Sequence, residues 1–512
     1  MGAVTRALSP AEVERFRVLV GARLGLYFDD TRTDYLAGVA RDLLEAAGSE
    51  PVDTYLRRLA SNDPREISAL ASVLTVGETY FFRYWDHFRA FSEHVLPGHA
   101  KARGHLRQLR VLSAGCASGD EAYSLAIMIR EHLPDAASYD VRISGIDVNP
   151  VVLQKASEAR YTAWSLREAP AALRDRYLRQ EPKGEFELDP QIRAMVSFSQ
   201  QNLLDDGGPL AATGEIDVVF CRNVLMYFAP EVARSIVMRI TRALRPGGFL
   251  FLGHAETLRG LSNDFHLCHT HDTFYYQRKD VLLGRATDAL PEPSALGPLP
   301  ARPQVASPLE ADDASWVDAI QRASDRILSL TQSREPAVGA PPPVPSWDLG
   351  AAIDLLRQER FADALTLVEK LPSAARRDPD AELLRAILLT NSGQLATAEQ
   401  VSRAVLSFDD LNAGAHYVVA LCREHAGDPD GAVEHDLAAT YLDADFMMPH
   451  LHLGLLARRA GELERARGSL RRALALLPRE DPSRVLMFGG GFTREALGAL
   501  CRSELALCGD ES

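Results

Sequence analysis

The sequence predicts an α/β domain built on a mainly parallel sheet, followed by an all-α array of helical repeats. Two observations carry this reading. Between residues 109 and 254, apolar strand-like runs alternate with helix-forming runs through short connections, the pattern of parallel strands covered on both faces. Further on, small residues recur at a fixed step of 34 residues: Ala352, Ala386, Ala420 and Gly454 in one register, Ala364, Ala398, Ala432 and Ala466 in another.

The first strand (Leu109, Val111, Leu112) enters a tight turn, Ala114-Gly115-Cys116-Ala117-Ser118-Gly119, and then a helix-forming run, AYSLAIMIREHL. Strand, small-residue turn and helix in that order let a nucleotide-like ligand approach the backbone, and an ordinary βα turn reads the same way. The spacing is neither G-x-G-x-x-G nor a Walker motif. Asp120 and Glu121 open the helix, so they repel a pyrophosphate and attract a cation, which favours S-adenosylmethionine over NAD or ATP. A second strand, 141–146, ends in Asp147, placed either to accept from a ribose diol or to cap the helix that follows. A third segment, 198–206, brings Asn202 to where an adenine edge is hydrogen-bonded. The fourth strand, 216–220, runs into Cys221-Arg222-Asn223-Val224-Leu225-Met226-Tyr227-Phe228; a helix over 231–244 and a fifth strand over 247–254 complete the alternation.

Residues from about 12 to 278 resemble the CheR-type chemotaxis receptor glutamate methyltransferases. The shared motifs are LTVGETYFFR (74–83), SAGCASGDEAYS (113–124), GIDVNPVVLQKA (145–156), QNLL (201–204), FCRNVLMYF (220–228) and LRPGGFLFLGHAE (244–256). The resemblance implies an N-terminal helical subdomain (10–95) and a Rossmann-like class I methyltransferase domain (96–283) with a small β insertion near 184–200. It implies S-adenosylmethionine as methyl donor, S-adenosylhomocysteine as product, and methyl esterification of glutamate side chains on chemoreceptor signalling domains. Residue by residue, Arg83 resembles the arginine that pairs with the cofactor's carboxylate, and Thr79 a threonine beside the cofactor. Glu121 resembles the acid near its ammonium, Asp147 the ribose ligand, and Asn202-Leu203 the adenine contacts. Gly115 belongs to the cofactor turn. Arg222 and Asn223 match the cofactor-proximal pair, and Tyr227 a tyrosine near the transferring methyl; Arg222 or Tyr227 is expected to orient the incoming carboxylate. Tyr227 equally suits a core aromatic. Two positions depart from the family pattern. Gly77, in the cofactor-binding run, stands where an asparagine is usual, so one hydrogen bond of about 1 kcal/mol is missing or is made instead by backbone or water. In 31–48, where paired arginines usually meet the receptor, Gly38 and Asp42 lie near those positions and Arg32 and Arg41 remain.

Length and charge bound the rest. A chain of 512 residues is expected to hold two or three domains, and a formal charge of −14 argues against nucleic acid as partner. No apolar run of roughly 18 residues and no secretory h-region is present, so no membrane insertion and a cytoplasmic location are expected. The six cysteines (116, 221, 268, 422, 501, 508) show no metal-binding spacing and read as reduced thiols, with Cys116 and Cys221 as packing residues. A Pro/Ala-rich linker spans 284–346, with helical spacing inside it over 315–332. Residues 347–508 resemble tetratricopeptide repeats: Gly393, Gly427 and Gly461 add a third register at the 34-residue step, and a helix around 492–507 caps four units. Such an array takes a protein or peptide partner on its concave face. A methyltransferase acting on another carboxylate, or an S-adenosylmethionine-sensing scaffold without turnover, is the alternative function.

Overall fold

The computed structural model describes residues 8–48, 51–61, 63–133, 135–182, 184–271, 273–279, 349–358, 360–372, 378–489 and 492–509. The chain divides into two compact units, Met1–Asp288 and Ala289–Ser512. The linker of 284–346 and its helix over 315–332 lie outside the described residues.

The first unit opens with four helices, α1 (Pro10–Leu24), α2 (Thr33–Ala46), α3 (Val52–Ala60) and α4 (Pro64–Leu74). They bury Phe16, Val20, Leu36, Tyr55, Leu59 and Leu70 in a core of their own. A capping box starts α1: Ser9 Oγ accepts from Glu12 N while Ser9 N donates to Glu12 Oε2 at 2.7 Å. Helices α5 (Trp85–Ala90) and α6 (Leu96–Arg103), joined by a π turn over Phe91–Val95, lead into the sheet.

Strands β1 (Gln108–Ala114) and β2 (Asp140–Asp147) flank α7 (Asp120–His132), and α8 (Pro150–Glu158) follows. A small antiparallel sheet then forms from β3 (Arg160–Tyr161), β4 (Leu178–Gln180) and β5 (Phe186–Leu188), with α9 (Ala171–Tyr177) inside it. The chain returns through α10 (Pro190–Arg193), β6 (Val196–Gln200), β7 (Ile216–Cys221), α11 (Pro230–Ala243), β8 (Leu244–Leu252) and the hairpin β9 (Phe265–Thr270) and β10 (Thr273–Arg278). The main sheet has the order β6-β2-β1-β7-β8-β10-β9: five parallel strands, then an antiparallel hairpin. The expected α/β alternation is therefore present, with one correction. The insertion is the sheet spanning 160–188, whereas 196–200 is the parallel edge of the main sheet, paired with β2 from Ile143↔Val196 to Asp147↔Gln200. Alternating polar residues, VSFSQ, suit such a half-exposed edge. An aromatic column ties the strands together: Phe220, Phe251 and Tyr275 stack face to face at 4.3 and 5.0 Å.

The second unit holds helix pairs α12 (Gly350–Arg357)/α13 (Phe361–Glu369), α14 (Pro379–Asn391)/α15 (Leu395–Phe408), α16 (Ala413–His425)/α17 (Pro429–Leu442) and α18 (Met447–Arg459)/α19 (Leu463–Leu476). Two further helices, α20 (Pro482–Phe488) and α21 (Arg494–Leu507), end it. Gly393, Gly427 and Gly461 have φ between 73° and 80°, the left-handed turn that joins the helices of a pair. The small residues sit where helices touch: a Cβ at Gly454 would meet Leu470 of the paired helix at 2.6 Å.

Candidate active site

The carboxyl ends of β1, β2 and β7 are neighbours in the sheet, and the loops leaving them interlock. Gly115 N and Cys116 N both donate to Ile146 O, at 2.8 and 3.0 Å. Gly115 has φ +73°, and a Cβ there would stand 2.5 Å from Val224 Cγ2, so only glycine fits between this turn and the loop after β7. Ala117, at φ 46°, donates its N–H to Asp147 Oδ2 at 3.0 Å, and Asn149 N donates to Asp147 Oδ1 at 2.9 Å. Asp147 therefore bridges two turns, half-buried, its carboxyl raised by burial. The cap of α8 is Asn149, whose side chain accepts from Val151 N and Val152 N, which leaves Asp147 with lone pairs at the crevice.

At the start of α7, Glu121 accepts from Ser113 Oγ at 2.7 Å and from Arg222 Nη1 at 3.1 Å. Asp120 beside it is buried; Ser118 Oγ donates to its Oδ2 at 2.6 Å, Oδ1 has no partner among the described residues, and burial raises the carboxyl to about 6. Arg83 is tied to Glu121 through Arg222, whose Nη2 donates to Arg83 O. The Arg83 guanidinium packs over the rings of Tyr80 and Tyr84, its Nη1 donates to Glu78 O at 3.3 Å, and its Nε is buried with no partner among the described residues. Phe82 and Tyr84 on either side hold positive φ of 57° and 61°, as does Asn223 at 56°, and bulky residues in that region store strain. Thr79 sits half-buried on the same loop, and Gly77 is exposed beside α8.

Two expectations change. Arg222 was one of two residues, with Tyr227, expected to orient an incoming carboxylate, but its side chain is 2% exposed. Glu121 pairs with it, Arg83 O accepts from its Nη2, and Tyr84 and Phe88 flank it. It joins the β7 loop to the loop of Arg83. Asn202 was expected at an adenine edge, but its Nδ2 donates to Arg23 O at 2.7 Å and its Oδ1 accepts from Leu204 N. The amide clamps the end of α1, and what the segment presents is backbone and the buried Leu203. Tyr227 lies half-buried on a 3-10 turn, Leu225–Tyr227, whose backbone is tied to the helical subdomain by Tyr27 N donating to Tyr227 O at 2.9 Å. Cys116 and Cys221 are buried, and burial pushes both thiols well up, so neither is a nucleophile.

Glu256 is a site residue that sequence reasoning passed over. Its buried carboxylate accepts from Asn223 N (2.6 Å), Val224 N (2.8 Å), Met226 N (3.3 Å) and Gly253 N (2.7 Å), and so sets the loop that carries Asn223 and Tyr227. The signal available was its place at the end of the sixth motif, just past a strand.

The turn, a guanidinium with one free nitrogen among the described residues and the acids of α7 lie at the carboxyl edge of one sheet. Comparison with known proteins gives that arrangement a chemistry: residues 77–274 match the family described as CheR methyltransferase, SAM binding domain, so S-adenosylmethionine is its cofactor. Chemotaxis protein methyltransferase 2 of Vibrio cholerae is 34% identical over 257 residues, 49% of this chain and 88% of that protein. Chemotaxis protein methyltransferase 1 of Pseudomonas aeruginosa is 32% identical, covering 52% of this chain and 98% of its own. The chain belongs to the chemotaxis protein methyltransferase (CheR) family. A probable biofilm formation methyltransferase, WspC of Pseudomonas putida, is similar along most of the chain: 28% identical over 90% of this chain and 97% of its own. Among solved structures, MamA 41-end from Desulfovibrio magneticus RS-1 matches 26% of this chain and 75% of its own, with 21% identity and a TM-score of 0.24.

Proposed function

We propose that this protein transfers a methyl group from S-adenosylmethionine to glutamate side-chain carboxylates of chemoreceptor signalling domains, in the cytoplasm, while its repeat array recruits a protein partner. The observation that carries the reading is Arg83, a guanidinium with a buried, unpartnered Nε set beside the Glu121–Arg222 pair. An anion and a cation of one ligand fit there: Arg83 grips a carboxylate, and Asp120 and Glu121 face an ammonium. Asp147 offers acceptor lone pairs for a sugar diol, and Leu203 an apolar wall for a base.

The cofactor, when bound, supplies an electrophilic sulfonium methyl. The protein's residues have a lighter task than in most transfers, because a glutamate side chain is already an anion at neutral pH. No residue needs to remove a proton, so the absence of a general base in the motifs is in keeping with the chemistry. Arg222 holds Glu121 and the Arg83 backbone in register, and Glu256 fixes the loop of Tyr227. The Tyr227 hydroxyl donates to the incoming carboxylate and orients it. Positioning of this kind contributes up to about 7–11 kcal/mol.

The test is transfer of labelled methyl groups from S-adenosylmethionine to a purified receptor signalling fragment, with volatile methanol released by base afterwards. Base-stable label, or calorimetric binding of the cofactor without transfer to any receptor fragment, would remove the glutamate ester from the account.

A further inference from the structure

The helix pairs repeat with a step that runs past the fourth unit. First helices begin at Pro379, Ala413 and Met447, second helices at Leu395, Pro429 and Leu463. The same step places a fifth pair where the chain holds α20 and α21. The second helix of that pair takes its station: α21 packs against α19, Arg458 Nε pairs with Glu504, and Arg467 Nη1 donates to Cys508 O at 2.7 Å. The first helix does not. α20 has 7 residues where α14, α16 and α18 have 13, and it packs against α12 and α14, the first helices of the first two pairs.

What α20 lays on that face is specific. The Phe488 ring sits 5.8 Å from that of Tyr417 and 5.0 Å from that of Phe446. A Cβ at Gly414 would stand 2.9 Å from the same ring and 3.0 Å from Leu383, so the missing side chain at Gly414 makes the room Phe488 fills. Arg484 pairs with Asp443 at 2.9 Å and lies over the Phe446 ring at 4.2 Å. Val485 and Met487 are buried with it. One aromatic anchor in a pocket, a charged pair at its edge and two flanking apolar residues make up the anatomy of a helix bound in a groove. A helix of 7 residues has little stability of its own, so α20 is held by this face rather than by its own hydrogen bonds.

We infer that the face formed by the first helices is a docking surface for a short helix with one basic residue followed by apolar residues at the spacing of Arg484, Val485, Met487 and Phe488. The chain's own α20 is the resident occupant, and a partner helix of that chemistry binds by displacing it. This rests on the repeat array recruiting a partner and is independent of whether the α/β unit transfers methyl groups. A tethered occupant raises the partner's apparent Kd by the inverse of the fraction of molecules in which the face is open.

The experiment uses the full chain and a fluorescent peptide of residues 481–489, followed by anisotropy, with hydrogen exchange read in parallel. R484A/F488A, which loosens the occupant, is expected to bind the peptide about tenfold more tightly than the unaltered chain. In the unaltered chain, saturating peptide is expected to speed amide exchange over 482–488 and leave 447–459 unchanged. A peptide carrying the same two alanines is expected not to bind. Equal affinity for both proteins overturns the inference, as does no binding to a variant that keeps the normal circular dichroism and melting. Peptide binding that leaves exchange over 482–488 unaltered also overturns it, and this arm decides the matter if the variant does not fold. Dimers formed by exchange of α20 between copies would likewise overturn it.

Discussion

In the α/β unit two charged groups at the carboxyl edge of the sheet, Arg83 and Asp120, have no ion-pair partner among the described residues, whereas in the repeat array the buried charges face one another. Arg83 Nε and Asp120 Oδ1 have no partner among the described residues, and four neighbouring non-glycine residues (Phe82, Tyr84, Ala117 and Asn223) hold positive φ. In the array, His452 stands between Asp436 and Glu424, its Nδ1 2.6 Å from Asp436 Oδ2 in a bent contact, and Glu424 also meets Arg459. A charge without a counter-ion beside strained backbone suits a ligand of opposite charge; matched charge is a framework. The difference separates what binds from what merely holds, and each side of it can be broken.

The largest effect is expected in the framework. His452→Gln leaves Asp436, fully buried, opposite a neutral amide, and should cost about 3–5 kcal/mol, read as faster hydrogen exchange across α16–α18. The same pair sets a pH dependence. Burial, which lowers the imidazole, is outweighed by Asp436 and Glu424, and His452 is raised to about 9. The folded state therefore binds this proton more tightly than the unfolded chain. Its contribution, on the order of 3 kcal/mol, is complete below the unfolded value near 6.5 and is lost as pH rises through about 9. Urea midpoints for the array should fall over that window in the unaltered protein, with the slope lost in the variant. A flat profile in both would mean the pair is not charged as described.

At the site the order of effects reverses: binding suffers and stability does not. Arg83→Ala should weaken S-adenosylmethionine by about 2–3 kcal/mol, some 30- to 150-fold in calorimetry, because a charge-assisted carboxylate contact is removed. Its melting temperature should stay put, since among the described residues the guanidinium makes one long hydrogen bond. A drop in melting with unchanged affinity would place Arg83 on the framework side of the comparison. Tyr227→Phe should lower turnover about tenfold, ~1.4 kcal/mol, while sparing cofactor affinity. An unchanged rate would take Tyr227 out of the transfer.

How far this division is legible in the sequence depends on how local the deciding contacts are. The β1–α7 turn, the aspartate ending β2 and the 34-residue step are written in neighbouring residues, and the structure holds them where the sequence places them. What escaped is set by distant partners. Asn202 looks like a base-reading amide until Arg23, 179 positions earlier, takes its donor. Arg222 looks like a substrate contact until Glu121 and the Arg83 carbonyl bury it. The small sheet was expected near 184–200 from the resemblance alone; the structure has it over 160–188, and pairing with β2, far off in the chain, makes 196–200 the edge of the main sheet. A truncated α20 leaves the repeat spacing intact, so nothing in the period signals that it leaves the stack.

The smallest effect tests whether the site's reserve can be enlarged. Gly77 lacks the amide usual at its position, and the structure supplies a reason beyond drift: a Cβ there would stand 2.8 Å from Val152 Cγ1. Valine on a helix has essentially one rotamer, so it cannot swing aside. The loop cannot retreat easily either, because Asn149 Nδ2 donates to Thr75 Oγ1 at 3.0 Å and ties it to the start of α8. Gly77→Asn alone should therefore gain nothing in cofactor affinity and lose some stability to the clash. Combined with Val152→Ala, which leaves the Asn149 cap on the Val152 backbone N–H untouched, the amide has space. Calorimetry on the double variant should then show S-adenosylmethionine bound up to about fivefold more tightly than in the native chain, the ~1 kcal/mol of one neutral hydrogen bond. Val152→Ala by itself should leave affinity where it was. If the double variant gains nothing over it, residue 77 does not face the cofactor, and the reserve at this site ends with Arg83 and the acids of α7.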